Sequence, residues 1–180
     1  MPLLNDPLLP IVLGRQRGDK LLRCLSDTDA RFIVVGGCAL AARGKRAFGD
    51  VSGLDLLLEP SATNARAVLA ALLAVGVPAS GWDQALERPG QALCLSDAGL
   101  RASLLTPDRE LHFDEAYEEA SRCKQFGVEI RIASVATLIH LARQSVQALS
   151  ALLSEHERDL LALQGMPFSV PPSLPPTTSQ

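Results

Sequence analysis

Residues 31–44 read Arg-Phe-Ile-Val-Val-Gly-Gly-Cys-Ala-Leu-Ala-Ala-Arg-Gly, and residues 51–60 read Val-Ser-Gly-Leu-Asp-Leu-Leu-Leu-Glu-Pro. Phe32 to Val35 is a short continuous apolar run closed by Gly36-Gly37, the pattern of a central strand rather than of a helix. Cys38 to Arg43 is Ala-rich and helix-prone, and Gly44 suits its C-terminal stop. Lys45 to Gly53 is a polar loop that contains glycine. Leu54 to Leu58 forms a second strand, with Asp55, Leu57 and Glu59 on one face and Leu54, Leu56 and Leu58 on the other.

Outward from this segment, Arg15 to Ser26 carries Leu21, Leu22 and Leu25 at helical spacing, after a Pro-rich apolar stretch read as an extended arm. Ser61 is an N-cap for a helix to about Val75, which Gly76 ends. A helical turn at Trp82 to Leu86 precedes two strands, Ala92 to Leu95 and Leu100 to Leu105, around a Ser-Asp-Ala-Gly turn. Phe113, Ala116, Tyr117 and Ala120 share one face of an acidic helix. Val128, Ile130 and Ile132 alternate with Glu129 and Arg131 as a half-exposed strand. Ser134 opens a helical region to about Leu163 that lacks Gly and Pro, and the Pro-rich end of the chain is low-complexity.

This order of elements predicts an α/β (α+β) fold, a mixed sheet packed by helices with further helices at the C-terminal side. The expected organisation is an N-terminal arm and helix over residues 1–30, a core over 31–133, a helical region over 134–165 and a disordered tail over 166–180.

The chain has 180 residues, of which 47% are apolar, enough for a sizeable core. Its net charge of -3 supplies no basic field, so composition gives no argument for nucleic acid as a partner. Cys24, Cys38, Cys94 and Cys123 are scattered without metal-ligand spacing and read as free thiols of a reducing cytoplasm. Met-Pro-Leu-Leu-Asn-Asp-Pro lacks the charge and apolar run of a signal peptide, and no segment reaches membrane-span length. A cytoplasmic protein without a membrane contact is the expectation.

Together these pieces resemble a minimal nucleotidyltransferase family related to the nucleotidyltransferase halves of abortive-infection and toxin–antitoxin systems. The resemblance runs over residues 31–165. It is carried by Val34 to Gly44, Leu54 to Ser61, Arg88-Pro-Gly-Gln-Ala-Leu93 and Leu104-Leu-Thr-Pro107. Phe113-Asp-Glu-Ala116, Val128 to Ile139 and Arg158-Asp-Leu-Leu-Ala-Leu163 complete it. It implies a glycine turn against a triphosphate and three carboxylates holding two divalent ions during transfer of a nucleoside monophosphate. Two of those acids stand two residues apart on one strand, and a third comes from a neighbouring strand.

Carried over, Gly36 and Gly37 match the phosphate turn and Asp55 matches the second strand acid and metal ligand. The first strand acid falls on Gly53, and the third falls on Ser103. Asp50 could stand in only if the loop folds back, since a regular strand would put it roughly 17 Å from Asp55 and on the opposite face, while Glu59 is on the matching face but about 13 Å further along. Arg43, where a histidine is frequent in the pattern, joins Lys45 and Arg46 in a basic cluster beside the turn, suited to a triphosphate. His112, His140 and His156 stand apart from one another and are read as ordinary helix or loop residues.

The reading that follows is a nucleotidyltransferase fold with a degenerate metal site, a pseudoenzyme that binds a protein partner or a nucleotide. An active Mg²⁺-dependent transferase acting on protein or RNA, through Asp55 and a rearranged Asp50, is the first alternative. A structural subunit of a larger assembly is the second. For that one, and for a homo-oligomer, the hint is Leu138, Ile139, Leu141, Val146, Leu149, Leu152 and Leu153, which cover more than one side of the last helix.

Overall fold

The two apolar runs that flank the glycine turn pair with each other. Strand β1 (Phe32–Val35) lies antiparallel to strand β2 (Leu54–Leu58), with Phe32 opposite Leu58 and Val35 opposite Asp55. The computed structural model describes residue 4 and residues 6–97 and 99–163. In chain order its helices are α1 (Leu8–Leu13), α2 (Gly18–Asp27), α3 (Gly36–Ala42), α4 (Ala62–Ala74), α5 (Asp83–Leu86), α6 (Phe113–Glu119) and α7 (Val135–Leu163). The remaining strands are β3 (Ala92–Asp97), β4 (Leu100–Leu105), β5 (Ser121–Gln125) and β6 (Val128–Ile132).

The six strands form one mixed sheet in the order β3-β4-β2-β1-β6-β5. Strand β2 runs parallel to β4 and β1 parallel to β6, while β3 and β5 close the edges as antiparallel hairpin partners. This is the expected α/β class. Central strands are buried on both faces, so Ile33, Leu56, Leu57 and Leu104 are at most 1% exposed. Each such side chain contributes about 1.5–3 kcal/mol relative to exposure. Helices α2 and α4 pack on each other, and Gly18 of α2 lies close to Leu54 on one face of β2.

Asn64 of α4 is buried, accepts from the Arg31 N–H at 2.7 Å, and donates to the carbonyls of Arg31 and Glu59 at 3.0 Å each. It thereby ties α4 to the start of β1 and the end of β2. On α6 the Tyr117 ring carries two guanidiniums over it, Arg131 at 3.8 Å and Arg31 at 4.6 Å from the ring centre.

The N-terminal stretch differs from the extended arm expected of it. Leu8 to Leu13 is helical, with Pro7 at the N-cap and Pro10 in the first turn, where no backbone N–H is owed to the helix. Leu9, Val12 and Leu13 turn inward. The helix expected from Arg15 begins at Gly18, after a 3-10 turn over Arg15–Arg17. Arg15 Nη1 donates to the Val51 carbonyl at 3.0 Å, which pins the loop leading into β2.

The chain separates into two compact units, Met1–His140 and Leu141–Gln180. In the second, α7 continues through Ser150, whose hydroxyl donates to the Val146 carbonyl one turn back at 2.8 Å, so no break occurs there. Val146 and Leu149 are exposed at 64% and 58%. The side chains of Leu152 and Leu153, and the tail expected over 166–180, lie outside the described residues. No helix among the described residues is long and apolar enough to cross a membrane.

Candidate functional site

Gly36 opens α3 directly after β1 and has φ +57, a backbone conformation natural to glycine. A Cβ added there would lie 2.0 Å from Asp55 Oδ2. The carboxylate therefore occupies the space that the missing side chain leaves, and the turn and the acid define each other's positions. Asp55 is half-buried on β2, and no hydrogen bond or ion pair among the described residues engages its carboxylate. Gly37 is next in the turn. A Cβ on it would stand 3.2 Å from Arg46 Nη1 and 3.5 Å from Val51 Cγ1, so the Arg46 guanidinium lies against the same turn.

Strand β4 supplies the neighbouring row. Asp55 is the parallel register partner of Ser103, and Leu54 is that of Ala102. One residue earlier, Gly53 lies against Arg101: a Cβ on Gly53 would be 3.2 Å from the Arg101 carbonyl oxygen and 3.6 Å from its Cγ. Alternation on the strands puts Gly53, Asp55, Arg101 and Ser103 on one face, while Leu54, Ala102 and Leu104 point into the core. The edge strand extends this face with Cys94, opposite Ser103, and Ser96, opposite Arg101, both exposed. Arg101 is also exposed, and no ion pair or hydrogen bond among the described residues takes up its guanidinium.

Other sequence-predicted residues have different surroundings. Arg43 ends α3 and turns towards β6, donating to the carbonyls of Ile132 (3.0 Å) and Ala133 (2.7 Å) and to the Ser121 hydroxyl (3.0 Å). Burial, the larger influence, lowers its pKa, against the opposing effect of Cys123. Lys45 is exposed in the following loop. Asp50 is exposed at the end of a 3-10 turn, Phe48–Asp50, within the loop expected over Lys45–Gly53. Cys38 lies beneath the turn and donates to the Gly53 carbonyl at 3.4 Å. Burial first, then the nearby Asp55 charge, pushes its thiol up to about 12.

The donor set on this face does not suit a pair of hard divalent ions, each of which takes several oxygen ligands. Among residues 53, 55, 101 and 103 there is one carboxylate and one hydroxyl. A second titratable group stands elsewhere: ligand-type atoms of Asp108, Glu110 and His140 lie within 4.8 Å of one another. Asp108 Oδ1 already accepts from the Leu111 and Glu110 N–H groups at 2.9 and 3.1 Å and faces His140 Nε2 at 3.2 Å. Burial works to raise Asp108, but these hydrogen bonds outweigh it and hold the carboxyl below its ordinary value. The group links the loop after β4 to α7.

No family model, curated protein or solved structure matches the chain.

Sequence reading missed Arg101 altogether. The signal for it lies in the pairing register of β2 with β4, which brings position 101 beside position 53 across 48 residues of chain.

Proposed function

We propose that the chain is a nucleotidyltransferase-like protein with a degenerate metal site that acts by binding, holding a nucleoside triphosphate at the Gly36–Asp55 cradle without transferring its nucleotide. The supporting observation is the pairing of Asp55 with Ser103, with Gly53 two residues before Asp55 on the same face. Two of three positions that would carry metal-binding carboxylates carry none, while the glycine turn retains its close approach to the remaining acid. Backbone N–H groups of a glycine turn are phosphate donors; here Gly36 is half-buried against Asp55, and Gly37 is buried beside Arg46 and Val51. Two-metal transfer needs ions to stabilise the attacking and leaving oxygens, and one carboxylate is a poor holder for them.

Equilibrium dialysis with each of the four nucleoside triphosphates tests this reading. Saturable binding of at least one, with the triphosphate recovered intact, is the expected result. Failure of all four to bind would overturn it.

A second reading, self-association through α7, draws on the exposed Val146 and Leu149. Sedimentation of the full chain beside a Val146→Glu, Leu149→Glu variant separates the cases. A dimer that the variant dissolves supports it, and a monomer at high concentration counts against it.

A further inference from the structure

The Asp55 face has an electrostatic difficulty as a phosphate site. A triphosphate chain is strongly anionic, and the half-buried Asp55 carboxylate adds another negative charge beside it. Binding there requires cations held close to both. In a two-ion site the divalent ions supply this charge: three carboxylates and two such ions leave one net positive charge. The present face lacks the ligands for that solution. It carries two arginines near the acid instead: the Arg101 stem beside Gly53, and the Arg46 guanidinium beside Gly37.

We infer that Arg101, together with Arg46, takes over the charge of the missing ions, so that the cradle holds the phosphate chain of a nucleoside triphosphate without any divalent metal; this rests on the binding function proposed above. The placement is specific. Arg101 lies against Gly53, the position two residues before Asp55 on the same face, where a side chain would crowd it. The absence of a carboxylate at 53 leaves that space to the arginine stem, and no acidic partner takes up its head among the described residues. Two residues of strand separate Gly53 from Asp55, about 7 Å, which a guanidinium on its flexible stem spans. Arg46 lies against Gly37, next to the glycine that Asp55 contacts.

One carboxylate with two guanidiniums again leaves one net positive charge. Guanidinium is also the side chain best matched to phosphate oxygens, which it meets in bidentate pairs. Ser103 and Ser96, on the same face, add neutral donors.

Isothermal titration of the full chain with each nucleoside triphosphate, in EDTA and in excess Mg²⁺, tests this. The expected result is equal or tighter binding in EDTA, displacement by inorganic tripolyphosphate, and at least tenfold weaker binding in Arg101→Gln and in Arg46→Gln, both with the parent melting temperature. Arg101 and Arg46 are exposed, so either variant should fold. Binding that appears only with Mg²⁺ would overturn the inference while leaving the binding function intact. So would full affinity in Arg101→Gln, or a bound triphosphate that tripolyphosphate fails to displace. No binding under either condition would overturn both.

Discussion

Asp55 of β2 and Ser103 of β4 are direct parallel register partners, so an acid and a hydroxyl stand side by side where a metal-binding sheet would set two acids. Replacing the hydroxyl with an acid supplies the second of three such acids. Ser103→Asp places two like charges opposite each other and should destabilise the fold by about 0.5–1 kcal/mol in EDTA at low salt. Added Mn²⁺ should restore the loss in Ser103→Asp but not alter the parent or Ser103→Asn. Urea unfolding with and without the ion measures all three.

Gly36 and Asp55 should be coupled. Gly36→Ala brings a Cβ within 2.0 Å of Asp55 Oδ2 and also forces alanine to φ +57. The backbone term alone is about 1 kcal/mol, and the collision adds to it. In an Asp55→Ala background the collision is gone and the backbone term remains. A double-mutant cycle by denaturant unfolding should therefore return a smaller penalty for Gly36→Ala in that background, by roughly 1 kcal/mol or more. Equal penalties would mean that the turn and the acid are independent.

Arg43 belongs to the fold as much as to any ligand. Its bonds to the Ile132 and Ala133 carbonyls and to Ser121 join the end of α3 to β6 and β5. Arg43→Met keeps the stem but removes those charged hydrogen bonds, and should cost about 2–3 kcal/mol of stability. Lysine supplies one point charge instead of a planar fork, so Arg43→Lys should recover only part of the loss. The midpoint of urea unfolding reports both.

Cys38 predicts a dependence on alkaline pH. Its thiol, ordinarily near 9.0, is pushed up to about 12 in the fold, chiefly by burial. The folded state thus holds the proton that the unfolded chain releases. Its contribution is full below pH 9.0 and is lost progressively as pH rises towards about 12. Between pH 9 and 10.5 the parent should lose stability faster than Cys38→Ala, by up to ~1.4 kcal/mol per pH unit. The exposed Cys94 should meanwhile react first with a thiol reagent at pH 8.

The central strands were legible because each is an apolar run closed by turn residues: Phe32–Val35 stops at two glycines, and Leu54–Leu58 at Glu59-Pro60. Strand β5 was not. Ser-Arg-Cys-Lys-Gln is an edge strand with exposed Arg122 and Lys124, so it lacks an apolar face. Its hairpin turn also lacks the usual signal, since Phe126 at φ 52 precedes Gly127 where asparagine or aspartate is the common choice. Helix α1 was hidden by its prolines, which are tolerated in a first turn. In the candidate site, the Gly36-Gly37 turn and the strand position of Asp55 were readable from local pattern, while their roles as phosphate turn and metal acid came only from the resemblance. The roles of Arg43 and Arg101 depend on partners far along the chain, the carbonyl of Ala133 and the backbone at Gly53, and no local pattern encodes either.

The central claim, a triphosphate cradle that has lost transfer, is tested most directly by incubating the chain with Mg²⁺ or Mn²⁺ and each α-labelled nucleoside triphosphate, with protein and RNA acceptors present. Bound but chemically unchanged triphosphate, with no label on chain or acceptor, is the predicted result. Covalent label that appears with the parent and disappears in Asp55→Ala would contradict it.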